Sequence, residues 1–519
     1  FRAALTIAEQ DVPGAGQFCW RCHSPTAWLE GRSLPYDGSN MHEDDLKGVQ
    51  CDVCHRMVDP MSEEGRALSD RPVPGIGNGM FVISDDTAKR GPREDSYANH
   101  SWLYSPFHKS SSLCGVCHDA SNPLLAQNPA TQPPHTYFPI SRIYSEWQLS
   151  DYARRGIQCQ SCHMPRTAGR AAGFGFLPVR SDLAQHSFAG GNYWGLEILP
   201  LFWNYGEREA DALIAGRYRA IEMLRQSAKL NIQAVPKYGN LIVFRVYNLT
   251  GHKFPSGDPE SRRAWLHVEF LDAYGNVIAE SGRYDSYTAT LHEDPNAKIY
   301  RVKLAEGNPP TFHMLRANRV LFDNRIPPMG FRNAQFQQHQ IAPVGYTYRD
   351  GQFWDDTAYT LPRGTVKVRA TLYFQAMTRE YVEFLRNANT TDDWGERLYQ
   401  AWLATDKAPP IAIATAVYPP DKNPPSQPVH LTGNGVSSYR VQLHWNGSTD
   451  DDKVVYYEIW RKASFETKFR KIATTFSTET QFTEAGLHPD TEYSYYVRAV
   501  DTAGNASPPS AVITVRTQP

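Results

Sequence analysis

The sequence predicts a multidomain chain, a mostly-α/loop segment followed by two β-sandwiches, and three observations along its 519 residues carry that reading. Residues 1–200 are rich in Gly, Pro, Ser and His, show little sustained hydrophobic period and hold every cysteine. From residue 231 the apolar residues recur with period two, the mark of half-buried strands. The run Tyr418-Pro419-Pro420-Asp421-Lys422-Asn423-Pro424-Pro425 then sets off a last stretch with its own strand rhythm. A chain of this length does not fold around one core, and two to four domains are expected.

All eight cysteines fall in four Cys-x-x-Cys-His pentapeptides: Cys19-Trp20-Arg21-Cys22-His23, Cys51-Asp52-Val53-Cys54-His55, Cys114-Gly115-Val116-Cys117-His118 and Cys159-Gln160-Ser161-Cys162-His163. This is the attachment signature of c-type haem. Two thiols add across the vinyl groups of one porphyrin, and the adjacent histidine becomes the proximal ligand of its iron. Four covalent haem c groups are expected, on thioethers from Cys19, Cys22, Cys51, Cys54, Cys114, Cys117, Cys159 and Cys162. His23, His55, His118 and His163 are the proximal ligands. A disulfide framework is not needed to make up for a small core in so long a chain. Zinc ribbons pair Cys-x-x-Cys units without a histidine straight after each. Both alternatives leave the four histidines unexplained.

The expected domains follow in order. Residues 1–200 form the tetrahaem cytochrome domain, where porphyrins supply much of the core and short helices, often just after each motif, are joined by loops. Trp20, Trp28, Trp102, Tyr104, Tyr144, Trp147 and Trp194 would pack there as core. Residues 201–418 comprise a connecting helix and a β-sandwich. Ala210, Leu213, Ile214, Ile221, Leu224 and Ala228 predict an amphipathic helix over 207–230, packed against the haem domain. Residues 241–246, 264–270 and 365–374 read as strands, and 379–404 as an inserted helix. Residues 419–425 are a stiff linker.

Residues 426–519 resemble a fibronectin type III domain. Trp445 lies in an early strand and Tyr456-Tyr457-Glu458-Ile459-Trp460 in a middle one. Leu487-His488-Pro489-Asp490-Thr491-Glu492-Tyr493 matches the family's tyrosine corner.

Hydrophobic and charged contents of 41% and 21% fit a soluble globular protein, and no apolar run is long enough to span a membrane. The formal charge of −2 becomes more negative with haem propionates, and no basic tract points to nucleic acid. The chain opens at Phe1 without methionine, as expected after removal of a signal peptide. Haem ligation at such motifs happens outside the cytoplasm. An exported protein is expected, extracellular or on the cell surface, with the periplasm as the alternative.

A haem iron with two histidines passes electrons, whereas one with a free position activates small molecules. Outside the motifs, residues 1–200 hold five histidines: His42, His100, His108, His135 and His186. The region resembles the tetrahaem cytochromes of the nitrifier hydroxylamine-oxidation pathway and their relatives, which include subunits of extracellular electron-conducting filaments. The likeness is carried by Gly48-Val49-Gln50-Cys51-Asp52-Val53-Cys54-His55, Ser145-Glu146-Trp147-Gln148-Leu149-Ser150, the stretch from Gly156 to Pro165, and His186-Ser187-Phe188-Ala189-Gly190-Gly191-Asn192. The resemblance implies distal ligands that cross between haems: His42 for the fourth, His135 for the first and His186 for the third. His108 or His100 would fill the second, which some relatives leave five-coordinate. His252, in Asn248-Leu249-Thr250-Gly251-His252-Lys253-Phe254-Pro255-Ser256-Gly257, is a structural residue in the plain reading and a haem ligand in the sharper one.

The expected function is electron transfer along closely spaced, mainly bis-histidine haems, in a subunit of an extracellular electron-conducting filament. Partners would be further copies head to tail, other multihaem cytochromes and acceptors such as metal oxides. A monomeric periplasmic or surface carrier is one alternative. An enzyme acting on a small nitrogen or sulfur compound at an open second haem is another, and a mainly adhesive protein a third. Asp450-Asp451-Asp452 and Glu43-Asp44-Asp45 could hold calcium, although solvated loops are the plainer reading.

Overall fold

In the computed structural model, described for all residues except 70–74, 128–131, 134–135, 172–175, 236–239 and 258–260, the N-terminal segment is built from short pieces. The helices coincide with the motifs instead of following them. Ala15–His23 ends on the first motif, Cys51–Arg56 opens on the second and Cys159–His163 is the fourth. The reason is geometric: one helical turn puts cysteines three apart on the same face. Between the helices run two-stranded ladders such as Met57–Val58 with Val82–Ile83 and Arg166–Gly169 with Arg180–Ala184. The segment is therefore a mixture of helix, loop and small ladder, and mostly-α overstates its helix content. Its own apolar packing is slight, with one cluster consisting of Val53, Met57, Phe107 and Val116.

The large apolar core lies further along. A five-stranded sheet carries Val277–Ser281, Arg263–Leu271, Lys367–Gln375 and Ile411–Tyr418 in that order, with Ile299–Tyr300 paired to Arg263–Leu271. A three-stranded sheet orders Trp354–Thr360, Leu241–Asn248 and Ala228–Ala234. Alternate residues Ile242, Phe244 and Val246 of one sheet and Leu266, Val268, Val368, Ala370 and Leu372 of the other are fully buried in one cluster. This is the period-two pattern read from the sequence.

The inserted helical region is two helices, Arg379–Ala388 and Trp394–Ala404, not one. Asn389 Oδ1 accepts from the N–H groups of Thr391 and Asp392, and Asp392 Oδ1 from that of Trp394. These local turns compete with the helical ladder and break it. The first helix of the chain, Arg2–Asp11, docks here: Ala3 and Ile7 pack on Tyr381 and Leu385, and Gln10 Oε1 accepts from the Thr390 N–H.

The long helix spans Glu207–Ser227 and buries Ala220, Ile221 and Leu224. Its neighbours are the helix Tyr193–Ile198, the strand Ile411–Tyr418 and two strands of the last domain, rather than the motif-bearing segment alone. Arg225 fixes it. Its guanidinium donates to the carbonyls of Thr475 and Phe476 at 2.9 and 3.1 Å and of Ala412 at 3.3 Å, and lies 4.0 Å from the Tyr456 ring centre.

Residues 429–516 form a seven-stranded sandwich, with sheets ordered Val429–Gly435, Arg440–Asn446, Gln481–Ala485 and Arg470–Thr474, Val454–Ala463, Glu492–Asp501, Ile513–Arg516. Trp445 and Tyr457 meet edge to face in its core. The Tyr493 hydroxyl accepts from the His488 N–H at 3.0 Å, the tyrosine corner read from the sequence. The proline-rich linker is pinned to this sandwich, since Asn505 Nδ2 donates to Asp421 O and Asn423 Nδ2 to Asp451.

A buried ion pair joins the two sandwiches. Arg369 bridges Asp452 at 2.5 Å and Glu269 at 3.0 Å, and Lys367 also reaches Asp452. Burial pushes the Asp452 carboxyl up, but hydrogen bonds from Arg369, Thr502 and Lys367 outweigh it and bring its pKa down to about 2. A depressed carboxylate stabilises the fold above its unfolded pKa of 3.8 and loses that contribution as pH falls through its folded pKa. Asp452→Asn should cost about 3 kcal/mol at neutral pH, the scale of breaking a buried pair. Denaturant titration at a series of pH values should show that deficit shrinking between pH 3.8 and about 2. A pH-independent deficit would assign the loss to packing.

Candidate functional site

The third motif lies at the centre of the four. Gly79 joins it to the first motif: its N–H donates to Val116 O at 2.8 Å, and a Cβ there would stand 3.0 Å from Cys22 Sγ. Cys54 of the second motif is near enough to Cys117 and Cys114 to act on both electrostatically. None of the eight is in a disulfide.

The chain latches motif to motif through side chains outside the pentapeptides. Gln158 Oε1 accepts from the backbone N–H and hydroxyl of Ser111 at 2.8 Å each, and the Ser111 hydroxyl in turn accepts from the Cys159 N–H. Gln160 Nε2 donates to Ser110 O. Gly115, inside the third motif, faces Tyr144 so closely that a Cβ would stand 2.6 Å from its ring. Asp119, next to His118, accepts from the Ser145 N–H at 3.1 Å and hydroxyl at 2.7 Å, with the Arg142 guanidinium 3.3 Å away. Asp119, Arg142 and Ser145 are buried, and sequence reasoning gives them no role; only the likeness over Ser145 to Ser150 flagged the region.

The histidines sort into groups. At the second motif, His55 Nδ1 lies 2.7 Å from Arg90 O. The rings of His108 and His186 flank it, with centroids 5.6 and 6.1 Å from that of His55. His186 thus stands beside the second motif, where the resemblance implied the haem of the third. His108 is buried, its Nε2 2.8 Å from Cys54 O and its Nδ1 without a hydrogen-bond partner. Burial, chiefly, lowers its pKa to about 4. His100, the other candidate for this place, is exposed and bonds Ser101 O.

At the fourth motif, His163 Nδ1 lies 2.6 Å from Ala189 O. Burial lowers the pKa of His252 to about 4, against the Glu146 carboxylate and with help from His163. At the first motif, His23 stacks on Phe1 with ring centres 3.9 Å apart. His42 is exposed at the head of the turn Glu43–Lys47, and its N–H donates to Asp45, whose carbonyl accepts from the Ser24 hydroxyl beside His23. These bonds hold its backbone beside the first motif; the resemblance implied the fourth haem for its ring. His135 lies outside the described residues.

These residues fit haem c. No disulfide occupies the cysteines, and the carbonyls at Nδ1 of His55 and His163 leave each Nε2 to a metal, the usual outer-shell arrangement for a histidine ligand. Two imidazoles sharing a metal through bonds of about 2 Å stand with ring centres about 6 Å apart, as those of His55 and His186 do. The buried, unpartnered nitrogen of His108 fits a ligand role equally well.

The acidic runs divide. Asp45 pairs with Arg32, Asp44 with Lys47 and Asp452 with Arg369. Asp450 joins Asp421 and Asp501, their carboxylate oxygens within 4.8 Å of one another. Exposed acidic groups gather in this way without an ion as well.

Residues 423–516 match the fibronectin type III domain. Exoglucanase B of Cellulomonas fimi is 36% identical over 127 residues, which cover 24% of this chain and 11% of that protein. Chitinase Chi52 of Paenibacillus xylanexedens is 36% identical over 98 residues, 19% of this chain and 17% of that one. The likeness to such enzymes runs through the fibronectin type III domain only. A penta-heme cytochrome c552 from Thermochromatium tepidum shares 19% identity and a TM-score of 0.44 over 77% of this chain and 83% of its own, too loose a likeness to carry an argument. No helix among the described residues is long and apolar enough to cross a membrane.

Lys253, 1% exposed, holds the site to the β-sandwich: its ammonium lies 2.7 Å from Asp323 and 3.8 Å from Glu146. Lys253→Met should lower unfolding stability by about 3 kcal/mol, because Glu146 and Asp323 stay buried with fewer partners. Lys47→Met, at an exposed pair screened by solvent, should cost far less. Equal losses in denaturant melts would contradict this ranking.

Proposed function

We propose that the chain is an exported multihaem c-type cytochrome that takes up electrons and passes them on. The observation that carries the reading is the drawing together of the Cys-x-x-Cys-His motifs: Gly79 bridges Val116 of the third and Cys22 of the first, and Ser110 and Ser111, just ahead of the third, are latched to Gln158, Cys159 and Gln160 at the fourth. Cys19 and Cys22, Cys51 and Cys54, Cys114 and Cys117, and Cys159 and Cys162 would each anchor one porphyrin by thioethers, and His23, His55, His118 and His163 would hold the irons. Bound haem would supply reversible one-electron oxidation and reduction.

The chain's own groups set what that chemistry does. The carbonyls of Arg90 and Ala189 orient His55 and His163. A second imidazole beside His55, from His108 or His186, would deny substrate a place on that iron, which favours a carrier over an enzyme. Contact between motifs keeps neighbouring groups close enough for electrons to hop. The fibronectin type III domain would act as spacer or adhesion surface.

The test is made on the full chain exported by a host able to ligate haem c. A pyridine haemochrome spectrum should give four haems c per chain, and paramagnetic resonance of the oxidised protein should be mainly low-spin. A chain that binds zinc in place of haem, or one with high-spin iron that responds to nitrite or hydroxylamine, would count against an electron carrier.

A further inference from the structure

We propose that Asp421, Asp450 and Asp501 hold a calcium ion, which fastens the proline-rich run to the fibronectin type III domain and steadies the joint between the two sandwiches. The site lies outside the motif-bearing segment and is independent of the haem reading above.

The three carboxylates come from separate pieces of chain. Asp421 belongs to the run 419–425, Asp450 to the loop between the strands Arg440–Asn446 and Val454–Ala463, and Asp501 ends the strand Glu492–Asp501. One oxygen from each lies within 4.8 Å of the others. Donors to a single calcium ion, at bonds of about 2.3–2.6 Å, cover that span. Exposed carboxylates gather without an ion, but these are largely closed to water. Asp501 is 1% exposed, and Asp421 Oδ2 and Asp450 Oδ2 are wholly enclosed and accept no hydrogen bond. Enclosed carboxylate oxygens without a partner are costly, and a cation between them removes that cost.

The remaining oxygens are held as those of metal ligands are. Asp421 Oδ1 accepts from the Asn423 N–H and Asp450 Oδ1 from the Asp452 N–H, both at 2.9 Å. Asp501 Oδ1 accepts from the N–H groups of Ala503 and Asn505 at 2.8 Å, and its Oδ2 from Asn505 Nδ2 at 2.9 Å. These bonds fix each carboxylate and leave Oδ2 of Asp421 and Asp450 to a metal. Among the described residues no Lys or Arg pairs with any of the three, whereas Asp452 takes both Lys367 and Arg369. A donor set of oxygens alone suits a hard cation and not zinc or copper. Calcium accepts carboxylates in irregular geometry, while magnesium demands an octahedron and keeps several waters.

The position gives the ion its structural effect. Asp450 and Asp501 flank the residues that join the sandwiches: the Thr502 hydroxyl donates to Asp452, which binds Arg369 of the preceding sandwich. Holding Asp450 and Asp501 on one ion holds Asp452 and Thr502 in register for that pair.

The experiment uses the full-length holoprotein freed of divalent cations with a chelator. Calorimetric titration with calcium chloride should show one ion per chain, and magnesium chloride should bind more weakly. Calcium at about 1 mM, a level that extracellular modules respond to, should raise the thermal midpoint. Asp421→Asn and Asp450→Asn should each weaken calcium binding by about tenfold or more. Asp451→Asn, an exposed neighbour of the same charge, should leave it unchanged. In chelator, Asp421→Asn and Asp450→Asn should melt no lower than the parent, because each relieves crowding of like charges. An absence of calcium binding by the parent would overturn the proposal. So would unchanged binding in both Asp421→Asn and Asp450→Asn, an equal loss in Asp451→Asn, or a preference for magnesium.

Discussion

Residues 1–200 bury too little apolar surface of their own to hold four motifs in contact. One of the segment's own apolar clusters has four buried members, while the β-sandwich core runs through dozens of side chains from Tyr193 to Ile413. Conformational entropy must still be offset over the whole segment. Here it is offset largely by polar latches: Gln158 on Ser111, Asp119 on Ser145 and Arg142, Glu146 on Lys253. A porphyrin at each motif would add the missing apolar mass.

From that constraint follows the bracing by the rest of the chain. The first helix docks on the helices inserted in the β-sandwich, the loop 248–253 docks on the helix Ile143–Gln148, and Arg225 ties the long helix to the fibronectin type III domain. A segment with a small core of its own gains order from surfaces that have large ones. The β domains are then more than a sheath, since they fix the elements that place His163 and its neighbours.

The sequence disclosed periodic features well and crossed contacts poorly. Alternation placed the strands at Leu241–Asn248, Arg263–Leu271 and Lys367–Gln375 to within two residues at each end, and Tyr493 marked its own corner. The inserted helix was misjudged because its apolar period continues through residues 389–393, where Asn389 and Asp392 divert the backbone N–H groups. Cysteine and proximal histidine positions are local in sequence and could be named outright. Second histidines are not, because proximity there depends on tertiary packing that no spacing encodes. His186 beside His55, and the His42 backbone beside the first motif, are placements that no local spacing signals.

For His252 the sequence leaves two readings open, a packed side chain and a ligand. Taken alone, a histidine within a β-rich stretch is most simply a packed side chain. What alters its meaning is a set of contacts more than ninety residues apart in sequence: Glu146 with Lys253, Tyr152 with Leu249, Trp147 against Gly251. Each is ordinary, and each would be satisfied by a loop that merely closes a surface. Together they hold one imidazole on the helix that precedes the fourth motif, with its Nδ1 facing the loop's own oxygens. Buried Lys253 and Asn248 make that placement costly to relax, because freeing the loop would strand a charge and an amide away from water. A loop held this firmly ties the β-sandwich to the stretch that leads into the fourth motif, through Trp147 and Ile157.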